Sequence, residues 1–478
     1  MAGIVTGPRA RVIQVPREVM HSYERRTALT PPAVAELIQN HQLSVEIQRS
    51  PLRIYPAQLY RDAGARIVTE LHPEEQLLFG VKQIPADVFK QDGVYVLFGH
   101  VTKGQPENMF MLQHILNARA TYIDYEYIEN DKGERLVAFG RFAGIVGMTD
   151  TLHLLGRRLR EVMGIDNPFS SVKRAFDYKG EDAIDQIKAQ MKQIGDSIER
   201  NGLPSNIAPM IVGFTGGTGR CNQGALEIFN ALGAKRVSPG DLLNPGILAS
   251  LSKNEVYSVE FDRAGFNGRY QRKDGTPGSD LDLEKDPEAY ESTMGKYLHL
   301  LTIFMNDAKW LPGQPPLITR EMLASVLSNS QNRLIAVGDV GCDVYNNDTK
   351  NGPMECTLKG TKPEDPFYVY NPKTGGIVMG ISEAEGILVN AVETMPCELP
   401  AVAAAQFSRM LLPFVPNIAR TNYGLPFSLA ADSLPPEIRR AVIVWRGEFT
   451  PRYADNRVML DSLVKNGGEL KDENDVNV

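Results

Sequence analysis

Short apolar runs alternate with amphipathic stretches along most of this chain, and the alternation predicts an α/β architecture with largely parallel sheets. Residues 11–15 (RVIQV) and 44–47 read as strands, separated by a helix over 31–40 with Pro31 or Pro32 in its first turn. DAGARIV, LLFGVKQIP and GVYVLFGH each carry a short strand pattern ending in polar residues, and 121–128 (TYIDYEYI) is one more strand. Residues 141–160 predict a long helix, small and apolar in its first half, able to bridge two domains. A polar amphipathic helix over 181–200 leads to 210–214, apolar on both faces as a covered parallel strand is. KRV, EVYSVEF and RLIAVGDV supply further strands, 367–371 and 377–382 are strand-like, and PAVAAAQFSRMLLPFV is a helix. The stretch NGRYQRKDGTPGSDLDLEKDPEAY reads as a polar surface excursion, and KNGGELKDENDVNV has too little apolar content to fold alone.

The central strand at 210–214 runs into Gly216, Gly217, Gly219 and Gly224 and then into a helical segment. Glycines at such a corner let the backbone turn sharply and come close to a pyrophosphate, which then sits on N–H groups at the helix start. The spacing is G-x-x-G-x-x-x-x-G rather than G-x-G-x-x-G, and a glycine-rich turn with no ligand is the alternative. Ala225 and Leu226 stand where an ATPase loop needs Lys and Ser or Thr, so phosphoryl transfer is excluded.

The 478 residues suffice for two or three domains. A net charge of −7 argues against a nucleic-acid or membrane-surface binder, and no apolar run is long enough to span a bilayer. Four cysteines without a C-x-x-C pair predict free thiols in a reduced compartment. Seven histidines without ligand spacing give no metal site. About ten residues before the first strand leave little room for a leader, which predicts the cytoplasm. Lys82, closing LLFGVK, and His100, closing VYVLFGH, stand at the carboxyl ends of strands, where such sheets collect ligands. A solvated lysine and a hydrogen-bonded loop histidine are the plainer readings of the same positions.

REVMHSYERRTALTPPAVAELI, DAGARIV, GVKQIP and a histidine after VLFG resemble the alanine dehydrogenase and saccharopine dehydrogenase superfamily. ENDKGERLVAFGRFAGIVGMTDTLHLLG, FTGGTGRCNQGALEIFNALGA, GDVGCD and MECTLKGTKPEDPFYVY resemble the lysine-2-oxoglutarate reductase half of aminoadipic semialdehyde synthase. The resemblance runs from about Val12 to about Trp445 and implies two Rossmann-like domains with the active site in a cleft between them. A substrate domain over 1–150 and 345–478, with a C-terminal helix returning to it, and a dinucleotide domain over 151–344 follow. The reaction implied condenses L-lysine with 2-oxoglutarate and reduces the imine to saccharopine, and it leaves room for a separate saccharopine dehydrogenase acting on the product.

Lys82 and His100 match the family's acid–base pair in context and order. Arg26, Lys103, Arg135 and Arg141 match its carboxylate partners, and Glu126 its acidic residue near the pair. Gly216, Gly219 and Arg220 fall at the nucleotide corner, with Asp339 and Asp343 of GDVGCD toward the nicotinamide; Gly341 and Cys342 between them depart from the family pattern. After KRV the chain has Ser238, Pro239 and Gly240 rather than an acid, with Arg236 close by, which leans toward NADPH, with NAD(H) as the other form. The alternatives are an NAD-dependent, lysine-forming saccharopine dehydrogenase, an alanine-type dehydrogenase, for which four basic residues are too many, and a non-catalytic nucleotide-binding relative.

Overall fold

Buried parallel strands require two covered faces, and the chain supplies them twice. The computed structural model describes residues 10–73, 76–103, 106–308, 314–342, 359–383, 385–457 and 460–461. They form two compact units, one from residues up to Ala138 and from Pro400 onward, the other Phe139–Leu399.

The first unit begins β1 (Ile13–Val15), α1 (Pro31–Gln39), β2 (Val45–Gln48), α2 (Ala57–Asp62), β3 (Arg66–Val68), β4 (Leu77–Phe79), β5 (Val94–Leu97), α3 (Pro106–Asn117) and β6 (Thr121–Asp124). These six strands are parallel, in the order β3-β2-β1-β4-β5-β6. Successive strands step outward from β1 in one direction and then, from β4, in the other. The reversal between β1 and β4 opens the crevice where such sheets bind ligands.

The second unit begins with α4 (Gly140–Glu161), α5 (Ala183–Asn201), β7 (Met210–Phe214), α6 (Arg220–Asn230), β8 (Lys235–Val237) and β9 (Val256–Glu260). β10 (Asp262–Ala264), β11 (Gly268–Arg272) and β12 (Tyr290–Ser292) form a small separate sheet. β13 (Ile303–Asn306), β14 (Ala336–Asp339), β15 (Phe367–Asn371), β16 (Gly376–Met379) and β17 (Ile387–Asn390) complete the main one, ordered β8-β9-β7-β13-β14-β17-β15-β16. β15 and β16 are antiparallel additions at one edge. The chain then returns to the first unit, where β18 (Val442–Trp445) pairs antiparallel with β6 and β19 (Glu448–Phe449) closes the edge. In that returning segment Phe407 packs on Phe98 and Tyr125, with ring centroids 6.0 and 5.0 Å apart, and the Thr30 N–H donates to Ser408 Oγ at 3.0 Å.

The unit boundaries fall elsewhere than the expected breaks after residues 150 and 344. The later one moves because β15–β17 extend the second sheet beyond 344. The earlier one moves because α4 lies wholly in the second unit, burying Ile145, Met148, Leu152 and Leu155. Gly224 of α6 shows how close the two helices come: a Cβ there would lie 2.0 Å from the Arg141 carbonyl oxygen in α4. Gly224→Ala is therefore expected to destabilise the second unit by about 3 kcal/mol, as overpacking against rigid backbone does. A urea midpoint equal to that of the wild type would show that the helices separate at little cost. The polar excursion after β10 is also more than surface, because its Tyr270 and Tyr290 are buried on the core.

Candidate active site

Four of the six parallel strands of the first unit end by delivering polar residues to one place. Beyond β1 come Glu18, Glu24 and Arg26; beyond β4, Lys82; beyond β5, His100; and at the end of β6, Asp124 and then Glu126. Because β1, β4, β5 and β6 are neighbours, residues more than a hundred positions apart become one cluster. The expected strand over 121–128 stops at Asp124. A 3-10 turn, Tyr125–Tyr127, follows, capped by the Glu126 N–H donating to Asp124 Oδ1 at 2.9 Å, and it turns Glu126 toward His100.

His100 is held from both sides. Its backbone is left-handed, with φ of 52°, and its N–H donates to Asp124 Oδ2 at 3.3 Å, alongside the Gly99 N–H at 3.2 Å and the Tyr122 hydroxyl at 2.6 Å. The ring Nδ1 lies 3.0 Å from Glu126 Oε2, while Arg135 pairs with the other Glu126 oxygen. A carboxylate accepts, so in this pair the Nδ1–H donates to Glu126 Oε2, which leaves Nε2 as the ring nitrogen able to exchange a proton. Burial pushes the Asp124 carboxyl up, against the pull of His100.

Lys82 is half-buried, and its N–H donates to Glu18 Oε2 at 3.2 Å while the Val81 N–H donates to Oε1 at 2.7 Å. Burial, reinforced by the charge of Glu24, pushes the Glu18 carboxyl up to about 7. Burial acts on Glu24 in the same sense, but Arg26 overrides it and, with help from Lys82, holds that carboxyl below its ordinary range. The edge thus pairs one acid that titrates near neutrality with one kept ionised, the separation that acid–base chemistry uses. Glu18, Glu24 and Asp124 were not singled out from the sequence. Glu18 and Glu24 lie in a loop, where acids read as solvated until the sheet order buries them.

The four cations assigned to substrate carboxylates are differently placed. Arg26 is buried and grips Glu24 through Nε at 2.8 Å and Nη2 at 2.5 Å. Arg135 is 39% exposed and bound to Glu126. Arg141 belongs to the second unit, where Glu227 accepts from its Nε and Nη2 at 2.9 and 2.8 Å, sharing that carboxylate with Lys188. Lys103 ends a short 3-10 turn, and its side chain lies outside the described residues. Arg26→Ala is expected to cost the first unit about 3 kcal/mol, because it strands a buried carboxylate. Denaturation alongside Michaelis constants checks this, and a variant as stable as the wild type would return Arg26 to substrate binding alone.

In the second unit the turn after β7 is shaped for close approach. Gly216 has no room for a side chain, since a Cβ would sit 2.5 Å from Asn222 Cβ and 2.9 Å from the Asp307 carbonyl oxygen. The Gly219 N–H donates to the Gly216 oxygen at 2.9 Å, and Asn222 Nδ2 to the Gly217 oxygen at 2.7 Å, so the turn is fixed before any ligand arrives. Gly219 caps the 11-residue α6, and Arg220, its first residue, is exposed. This glycine-rich corner, crowded at Gly216 and set at a helix start, fits a dinucleotide's pyrophosphate. Asp339 ends β14, and its Oδ1 accepts from Asn306 Nδ2 at 2.7 Å and from the Cys342 N–H at 3.2 Å. Asp343 and the MECT segment lie outside the described residues.

A further acid, Asp307, follows β13 beside this corner, only 6% exposed. Neither of its carboxyl oxygens has a hydrogen-bond partner among the described residues, and burial, with the charge of Asp339, pushes it up to about 8. β13 was not anticipated from the sequence, so neither was Asp307. Among the described residues there is no His, Cys, Asp and Glu cluster arranged for a metal, and no helix long and apolar enough to cross a membrane.

The strand order revises one expectation. The absent acid after KRV concerns β8, but β8 is the edge strand; the strand beside β7 is β9, and it ends in Glu260. The premise for NADPH over NADH therefore belongs to a strand that does not adjoin the corner.

The family model "Alanine dehydrogenase/PNT, N-terminal domain" matches residues 14–146. The chain is 30% identical over 455 residues to an alpha-aminoadipic semialdehyde synthase of Arabidopsis thaliana, covering 92% of this chain and 41% of that protein. It is 30% identical over 456 residues to the mitochondrial form of Bos taurus, covering 92% and 47%. The chain thus spans less than half the length of these relatives. A solved L-alanine dehydrogenase superposes with a TM-score of 0.56 at 16% identity, over 94% of this chain and 99% of that one, a likeness of fold. With the saccharopine dehydrogenase [NAD(+), L-lysine-forming] of Candida glabrata the identity is 30% over 399 residues, 82% of this chain and 87% of that one. The chain belongs to the saccharopine dehydrogenase family of pyridine-nucleotide oxidoreductases, with the aminoadipic semialdehyde synthases among its relatives.

Proposed function

We propose that this protein is a lysine-2-oxoglutarate reductase: the ε-amine of L-lysine adds to the keto carbon of 2-oxoglutarate, water leaves, and the imine is reduced to saccharopine. The observation that carries the reading is the edge beyond β1, β4, β5 and β6, where Lys82 and His100 stand among acids held at different protonation states. The amine must lose a proton to attack and the departing hydroxyl must gain one, so two proton carriers are needed. Lys82 Nζ and His100 Nε2 fill these roles, and Glu126 orients the imidazole. When bound at the corner after β7, a nicotinamide dinucleotide supplies the hydride.

Three product carboxylates call for several cations. Arg26, Arg135 and Arg141 already hold Glu24, Glu126 and Glu227, so an incoming carboxylate shares or displaces an acid, and Lys103 is the fourth partner. Gly216, Gly219 and Arg220 are the proposed pyrophosphate contacts, with Asp339 and Asp343 toward the nicotinamide. A cytoplasmic setting and hand-over of the product to a separate saccharopine dehydrogenase belong to the same reading.

The match over 87% of a lysine-forming saccharopine dehydrogenase favours a second reading, the same chemistry run toward lysine with NAD. Loss of nicotinamide absorbance with L-lysine and 2-oxoglutarate, run with NADPH and with NADH, tests both. Loss that requires both substrates and yields saccharopine supports the reductase. Activity only with saccharopine and NAD moves the assignment to the second reading, and silence in both directions defeats both.

A further inference from the structure

The position of β9 beside β7 gives the nucleotide corner a carboxylate that chain order hides. We propose that Glu260, the last residue of β9, makes this a site for NADH rather than NADPH, by accepting the 2′-hydroxyl of the adenosine ribose and repelling a 2′-phosphate. The inference rests on the reading of the glycine corner as a dinucleotide site.

Glu260 is the Cα partner of Phe214, two residues before Gly216, and the Phe261 N–H donates to the Phe214 oxygen at 2.9 Å. The two strands therefore stay paired up to the corner, which fixes where the carboxylate is rooted. Its side chain is 24% exposed, open enough to meet a ligand. In the usual order the second strand adjoins the first and its end carries the acid that bonds the ribose. Here the second strand in chain order, β8, is displaced to the edge, and the third takes its place and brings the acid.

The surrounding charges favour the hydroxyl. Arg236 of β8 lies 3.3 Å from Glu260 Oε1, so the cation on the neighbouring strand already has an acid as its partner. Arg263 is bound to Glu284 at 2.5 Å, and Asp262 is exposed next to it. Around the end of β9 and β10 three acids, Glu260, Asp262 and Glu284, thus accompany two arginines, Arg236 and Arg263. A phosphate monoester carries about −1.5 to −2 charges at neutral pH and would add to an acidic excess.

The test is binding of NADH and of NADPH to the full chain, by nicotinamide fluorescence and without either organic substrate. The wild type is expected to hold NADH about tenfold or more tighter, and Glu260→Gln to shrink that ratio about tenfold, chiefly by tightening NADPH. Arg236→Ala is expected not to weaken NADPH. Tighter NADPH in the wild type, with a ratio that Glu260→Gln leaves unmoved, overturns the proposal. So does NADPH weakened by Arg236→Ala, which would make Arg236 the phosphate ligand. A wild type that binds neither nucleotide overturns the dinucleotide reading itself, a failure distinct from the wrong preference.

Discussion

Lys82→Met is expected to lower turnover of the lysine and 2-oxoglutarate condensation by about 10²-fold or more while nucleotide binding stays unchanged. Methionine keeps the length of the stem and removes only the amine, so the comparison isolates proton transfer from packing. Two features make that amine matter. Its backbone N–H is anchored on Glu18, which fixes the root of the side chain, and Glu24, kept ionised by Arg26, acts on it as a neighbouring negative charge. A neighbouring anion favours the charged form of an amine, and Glu18, titrating near 7, stands against the same stretch of backbone. The nucleotide corner belongs to the other compact unit, so nucleotide affinity serves as the control that the second unit is intact. Turnover within a fewfold of wild type, with circular dichroism and nucleotide affinity preserved, would remove Lys82 from the mechanism.

Periodicity was enough to place Lys82 and His100 at strand ends, because each closes a short apolar run and a parallel strand offers its carboxyl end to ligands; Glu126 came only from the family resemblance, since the strand expected over 121–128 ran past it. Periodicity could not deliver the acids that give them character. Glu18 lies in PREVMH and Asp124 in YIDYEY, neither with a local signal of burial; both are buried by strands distant in sequence. β13, β17 and β18 were passed over although they are as long as β2 and β5, which were read, and Asp307 was lost with β13. Lateral order is the other blind spot. Nothing in KRV or EVYSVEF says which of them lies beside β7, and on that depends whether Ser238 or Glu260 stands at the corner. The glycines were legible as a group but not individually. Gly216 serves the turn, whereas Gly224 serves the contact of α6 with α4.

Asp307→Asn is expected to abolish a loss of stability that the wild type suffers as pH rises. The ordinary value of this carboxyl is 3.8 and its folded value about 8, raised by burial and then by Asp339 from β14. Between those limits the folded chain holds a proton that the unfolded chain has released. Stability therefore falls from about pH 4 to about pH 8, by up to about 1.4 kcal/mol per pH unit, and the contribution is flat above. Asparagine is neutral throughout and nearly isosteric with the protonated acid, so the variant matches the wild type near pH 4 and exceeds it by about 5 kcal/mol at pH 8. Other carboxyls titrate alike in both proteins and cancel. Denaturant midpoints at pH 5, 6.5 and 8 give the difference directly, and parallel curves for the two proteins would mean that Asp307 is ionised in the fold at all three. Nucleotide affinity should carry the same signature. Above pH 8 Asp307, whose backbone oxygen and Cβ border Gly216, carries a negative charge beside the proposed pyrophosphate site, so wild-type affinity is expected to decline there while Asp307→Asn holds level.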